Sequence, residues 1–136
     1  MPPKRQITVT AAIIWQDGKV LITKRPEGTH LEGLWEFPGG KKEEAENLEE
    51  CIAREIEEEL GIQIKPERFL LTVNHEYETM IVDLYIFECS LVSGSPVSKE
   101  GQDMKWVKLA DISGYSFPPP DIEVIEFLHR NNKCRA

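Results

Sequence analysis

The chain lacks a basic surplus, a long apolar run and any cysteine pattern, and each absence removes a class of function. Sixteen Lys and Arg against 24 Asp and Glu leave a formal charge of −8. A standing nucleic-acid groove needs clustered cations against the phosphates, so no stable nucleic-acid partner is expected. A free nucleotide stays compatible with this charge, because a divalent cation can bridge a polyphosphate and an acidic protein. No apolar run approaches the ~18 residues of a membrane span. The opening MPPKRQITVT carries no signal-peptide core or cleavage pattern, and nothing points to a lipid anchor. Cys51, Cys89 and Cys134 are odd in number, with no CxxC or Cys/His spacing, so neither a disulfide framework nor a zinc site is expected. These readings describe a cytoplasmic chain with no membrane partner and reduced thiols, Cys134 lying in an exposed polar tail. Without repeats, low-complexity tracts or linkers, residues 1–136 read as one domain with no catalytic domain attached.

What is present begins with strands. Residues 7–15 are rich in Val, Ile and Thr, and residues 20–24 continue the pattern after the turn signal Gln16-Asp17-Gly18-Lys19, which predicts a hairpin. Residues 25–34 read as a loop. Trp35-Glu36-Phe37 reads as a short strand stopped by Pro38-Gly39-Gly40. Ala45, Leu48, Ile52, Ile56 and Leu60 recur at three- and four-residue steps, predicting a helix over 45–60 with Gly61 as its C′ residue. Strands are predicted at 62–64, 69–77, 80–91 and 104–108. A Pro-rich loop at 117–120 leads into a helix over 121–130 with Asp121 as N-cap. Strands interrupted by one helix and closed by another predict an α+β class, a sandwich of layers.

The mid-chain helix carries the chemistry. Glu55, Glu58 and Glu59 stand at i, i+3 and i+4, which puts three carboxylates on one helical face, while Glu57 lies apart. Such a group is either a solvated acidic face or a set of oxygen ligands for a hard cation such as Mg²⁺ or Mn²⁺. Gly39-Gly40 just before the helix permits a close backbone approach, and a carbonyl there could join the carboxylates. Arg54 stands eight residues after Glu46, so it could fasten the preceding loop through Glu46 or order Glu58 one turn away.

The pattern Gly40-x5-Glu46-x7-Arg54-Glu55-Ile56-x-Glu58-Glu59-x-Gly61-Ile62 resembles the complete signature box of the Nudix hydrolases. Seven specified identities at residue frequencies near ~7% would fall in this order by chance in roughly 10⁻⁸ of windows. The resemblance implies a Nudix fold: an α/β/α sandwich around a mixed β-sheet, with the box forming a loop-helix-loop. It implies hydrolysis of a nucleoside diphosphate linked to another group. It implies Mg²⁺ or Mn²⁺ held by the Gly40 carbonyl, Glu55, Glu58 and Glu59, with Glu55, Glu58 and Arg54 in the catalytic machinery.

Beyond the box, four segments resemble the MutT branch and the related CTP pyrophosphohydrolases. They are Ile22-Thr23-Lys24-Arg25, Leu34 to Lys41, Ser98-Lys99-Glu100-Gly101-Gln102, and Phe117-Pro118-Pro119 followed by Asp121. The resemblance makes Glu100 a further metal ligand and Arg25 a contact to phosphate or sugar. Phe37 and Phe117 line a base pocket or belong to the core, and Asp121 reads the base or caps a helix. MutT has Asn where this chain has Asp121. An ionised Asp only accepts hydrogen bonds, which suits cytosine N4 or the N–H-rich edge of guanine, whereas a protonated one imitates Asn in part. The segment 76–83 is shorter than in MutT. The expected activity is pyrophosphohydrolysis of a free nucleoside triphosphate, an 8-oxo-dGTP diphosphatase in the service of nucleotide-pool sanitisation. The alternative is a (d)CTP or modified-cytosine pyrophosphohydrolase, by a monomer or homodimer. A non-catalytic nucleotide sensor would be expected to lose box carboxylates, and a mismatch-recognition module to be joined to a glycosylase.

Overall fold

Antiparallel and parallel pairings meet on one long strand. The computed structural model describes residues 3–99 and 101–131. β1 (Arg5–Gln16) turns into β2 (Lys19–Lys24) through Asp17 and Gly18, whose φ values of 53° and 76° make the two-residue hairpin turn that the sequence predicted. β3 (Trp35–Glu36) pairs with β2, and β4 (Gly39–Lys41) pairs with β1. β5 (Gln63–Glu76) and β6 (Met80–Ser93) form a long hairpin, and β6 runs parallel to β1 over Arg5–Ile14. β7 (Met104–Lys108) closes on β2. One parallel pair among antiparallel ones makes the sheet mixed, as expected.

Two helices cover its faces. The period-two alternation of β1 divides its residues between them: Ala11 and Ile13 enter one core, Ala12 and Ile14 the other. α1 (Leu48–Leu60) covers the second face with Ile52, Ile56 and Leu60, each fully buried and each contributing about 2 kcal/mol. A 3-10 turn over Leu109–Gly114 and α2 (Pro119–Asn131) cover the first, through Ile112, Val124 and Leu128. The result is the expected α/β/α sandwich. No helix among the described residues is long and apolar enough to cross a membrane.

Several boundaries differ from the sequence reading. α1 starts at Leu48 rather than at 45, because Asn47 accepts from the Glu50 backbone and the Glu50 carboxylate returns to the Asn47 N–H. That capping box outcompetes further helix, and Ala45 is left exposed outside the stripe. The residues read as strand 62–64 and strand 69–77 lie in one strand, with irregular register around Pro66, tolerated because β5 is the edge of the sheet. Gly39-Gly40 is itself a strand rather than a stop. α2 starts at Pro119, since Pro119 and Pro120 suit a first helical turn, so Asp121 lies inside that turn and is not the N-cap. Cys51 and Cys89 are buried free thiols, while Cys134 lies outside the described residues.

Candidate active site

Arg54 organises the first half of the site. Its Nε and Nη2 donate to the two oxygens of Glu46 at 2.8 and 2.7 Å, a bidentate fork. Nη2 also donates to the Lys41 carbonyl at 3.1 Å. Nη1 faces the other way, toward Glu55 at 2.9 Å and Glu58 at 3.2 Å. Both roles considered for Arg54 are therefore realised at once: it ties the loop to α1 and orders two box carboxylates. The guanidinium holds the Glu46 carboxyl down at about 2. Partial burial pushes the Glu55 carboxyl up, opposed by Arg54.

Gly40 is where that carboxylate passes the strand. A Cβ there would run into the Glu55 carboxylate. Its carbonyl, however, is not turned to the acids. Ala12 N–H donates to Pro38 O and Lys42 N–H to Thr8 O, so the alternation of an antiparallel ladder turns the Gly40 carbonyl toward β1 and that of Gly39 away. The Thr10 hydroxyl and the Cys51 thiol also lie 3.4 and 3.7 Å from the Gly40 oxygen. The expectation of a Gly40 carbonyl facing the carboxylates is thereby corrected: a pleated strand alternates its carbonyls, and Gly39 has the outward one.

Gly39, Glu55, Glu58 and Glu59 line a cleft of about 250 Å³ with Arg25, Glu36 and Gln102. Gln102 Nε2 donates to Glu59 at 3.2 Å. Among the described residues, no three His, Cys, Asp or Glu side chains converge closely enough to hold a cation as they stand. Arg54 draws Glu55 and Glu58 toward itself and Gln102 engages Glu59. Glu100, the further expected ligand, lies outside the described residues. The donor set that remains is all oxygen, which suits Mg²⁺ or Mn²⁺.

A second cavity of about 290 Å³ adjoins the cleft, and Arg25, Glu36 and Gly39 line both. Its lining is largely apolar, from Ile7, Val9, Phe37, Met80, Val82 and Leu84, with Asp121 among them. Phe37 lines the pocket and also belongs to the core, so both of its readings hold. Phe117 does not line the pocket: it stacks behind Phe37, ring centroids 5.6 Å apart, and belongs to the core. Asp121 is nearly buried, takes a hydrogen bond from the Phe37 N–H, and has its carboxyl held well above the usual carboxylate range by burial and then by the neighbouring charge of Glu36. Arg25 pairs with Glu36 at 3.1 Å and donates from Nε to the His30 carbonyl at 2.7 Å, stapling the 25–34 loop. That loop includes Leu31 at φ 62° and brings His30 edge-on to Tyr77, ring centroids 4.9 Å apart, at the cavity wall.

Sequence reasoning did not single out Glu36, His30, Tyr77 or Gln102. Glu36 and Gln102 lie in segments that resemble the MutT branch, and Tyr77 in the segment 76–83 that is shorter than in MutT.

An α/β/α frame carrying a carboxylate-lined cleft beside an apolar pocket defines an enzyme site with room for a charged chain next to a flat group. The NUDIX domain family model matches residues 9–127. The chain is 36% identical over 122 residues to an 8-oxo-dGTP diphosphatase of Buchnera aphidicola, covering 90% of this chain and 92% of that one. It is 34% identical over 122 residues to the CTP pyrophosphohydrolase of Escherichia coli, covering 90% of each. It superposes on the crystal structure of a MutT protein from Methanosarcina mazei with a TM-score of 0.86, 31% identity and coverage of 98% and 99%. The chain belongs to the Nudix family and is a hydrolase of that family.

Proposed function

We propose that this chain is a divalent-metal-dependent nucleoside triphosphate pyrophosphohydrolase, an 8-oxo-dGTP diphosphatase that releases the nucleoside monophosphate and pyrophosphate. The observation that carries the reading is the junction of two unlike compartments at Arg25, Glu36 and Gly39. The apolar pocket accepts the base, the acidic cleft accepts the phosphates through cations, and Arg25 stands where sugar and first phosphate meet. Glu55, Glu58 and Glu59, with Glu100 and the outward carbonyl of Gly39, would hold Mg²⁺ or Mn²⁺. When bound, such ions neutralise phosphate charge and lower the pKa of the attacking water. Arg54 keeps Glu55 and Glu58 in place by its Nη1 donations, and the proton of the attacking water passes to one of these box carboxylates. Phe37 forms pocket wall and Phe117 supports it from behind.

Asp121 favours the oxidised guanine. Burial pushes its carboxyl well above the usual carboxylate range, and in its protonated form it offers one donor and one acceptor, as the Asn amide of MutT does. The reactant is a free nucleotide in the cytoplasm, and neither nucleic acid nor a membrane takes part.

The test is a turnover panel with Mg²⁺ on 8-oxo-dGTP, dGTP, dCTP, CTP and 5-methyl-dCTP, with products resolved. The expected result is a kcat/KM advantage for 8-oxo-dGTP of about 10²-fold over dGTP. An advantage for cytosine nucleotides would move the protein to the CTP branch, and silence across the panel would overturn the triphosphate reading.

A further inference from the structure

The three box carboxylates are not held in the same way. Glu55 and Glu58 face a cation, Arg54, whereas a neutral amide donates to Glu59. Glu59 stands in the last turn of α1, where the helix dipole disfavours negative charge and the turn itself carries no basic residue. The free carbonyls of that turn dock the returning chain: Val97 N–H donates to Leu60 O at 2.9 Å and Lys99 N–H to Glu59 O at 3.1 Å. On the other side of Gln102, Lys24 N–H donates to the Asp103 carbonyl at 2.9 Å. Gln102 is therefore anchored from both flanks. Its amide has two possible orientations, and the Glu59 carboxylate, which only accepts, selects the one in which Nε2 donates to it at 3.2 Å, leaving Oε1 to take the Ser98 hydroxyl at 2.7 Å.

We infer that Gln102 is a positioning residue for the metal-binding cleft, holding the Glu59 carboxylate through an amide whose far end the Ser98 hydroxyl secures. This rests on the reading of Glu59 as a metal ligand. A neutral donor suits the task. It fixes the carboxylate plane without cancelling the charge that attracts the cation, as a second guanidinium would. Donors behind a ligating carboxylate of this kind set its orientation and tune affinity. In the reaction, Gln102 acts only through Glu59.

The experiment measures Mn²⁺ binding to the full chain by electron paramagnetic resonance, without nucleotide, beside the melting temperature of each variant. Gln102→Ala is expected to weaken Mn²⁺ binding roughly 10-fold, Ser98→Ala by a smaller factor, and Ser98→Thr, which keeps the hydroxyl, to bind as the parent does. In a Glu59→Gln background, adding Gln102→Ala should cost less than roughly twofold more, because both changes remove one interaction. A shift in melting temperature with Mn²⁺ affinity unchanged in Gln102→Ala, while Glu59→Gln loses affinity, would overturn the inference and leave the ligand reading standing. Unchanged affinity in Glu59→Gln would remove the ligand reading and the inference with it.

Discussion

The acidic cleft takes Glu55, Glu58 and Glu59 from one helix, and its geometry is set by charge: a guanidinium that donates to Glu46, Glu55, Glu58 and Lys41, and an amide on the far side. The pocket beside it is assembled from β1, the 25–34 loop, the β5–β6 hairpin and the start of α2, and its single buried acid, Asp121, is driven toward neutrality. One compartment concentrates charge in water and waits for a counter-charge. The other is walled largely by apolar side chains and buries one acid among them. On the proposed reading the two have separate tasks, rate in the cleft and choice of base in the pocket, so changes in each should leave separate kinetic signatures.

The largest effect is expected in the cleft. Glu58→Gln should lower kcat by about 10³-fold or more, equally for every nucleotide, and weaken Mn²⁺ binding while the melting curve stays close to the parent's. A loss confined to one base would break the division of tasks. In the pocket, Asp121→Ala should reduce discrimination between 8-oxo-dGTP and dGTP by roughly 10²-fold with little change in metal affinity, whereas Asp121→Asn should keep the preference.

Asp121→Asn also has a stability signature. A carboxyl whose folded pKa is raised binds more protons folded than unfolded once the pH exceeds its unfolded value. Its full stability is present below that value and is lost as pH rises toward the folded one. The parent should therefore lose stability relative to Asp121→Asn as pH rises above the ordinary carboxylate range, by at most about 1.4 kcal/mol per pH unit. Parallel denaturation curves for the two proteins from pH 4 upward would contradict a buried, proton-holding Asp121. The smallest effect belongs to Phe117→Leu, which should cost about 1 kcal/mol of stability and leave the base preference unaltered, since the ring supports Phe37 from the core. A changed preference would return Phe117 to the pocket.

These two regions were also unequally legible. The cleft could be read because its residues lie in one contiguous stretch, where helical periodicity converts spacing into position: Glu55, Glu58, Glu59 and Arg54 came directly from that. The register of a two-residue glycine strand could not be read the same way. Only pairing with β1 decides whether Gly39 or Gly40 turns its carbonyl outward. The helix start was legible in Asn47 and Glu50, but the apolar stripe drew the boundary to Ala45 instead. For the pocket, Phe37 and Phe117 carry the same side chain and only the fold shows which one stands in front. His30 and Tyr77 meet across 47 positions of chain, and no local pattern reports such a meeting.

Phe37 lines the pocket, and Gly39, two positions on, lines both pocket and cleft. The two steps between them span no more than roughly 7 Å. On the proposed reading, the interval between the base and the bond to be cut is built into a short piece of backbone rather than left to flexible side chains. The molecule carries a fixed caliper, and inserting a single residue between Phe37 and Gly39 would reset it, offering the cleft a different part of the same nucleotide.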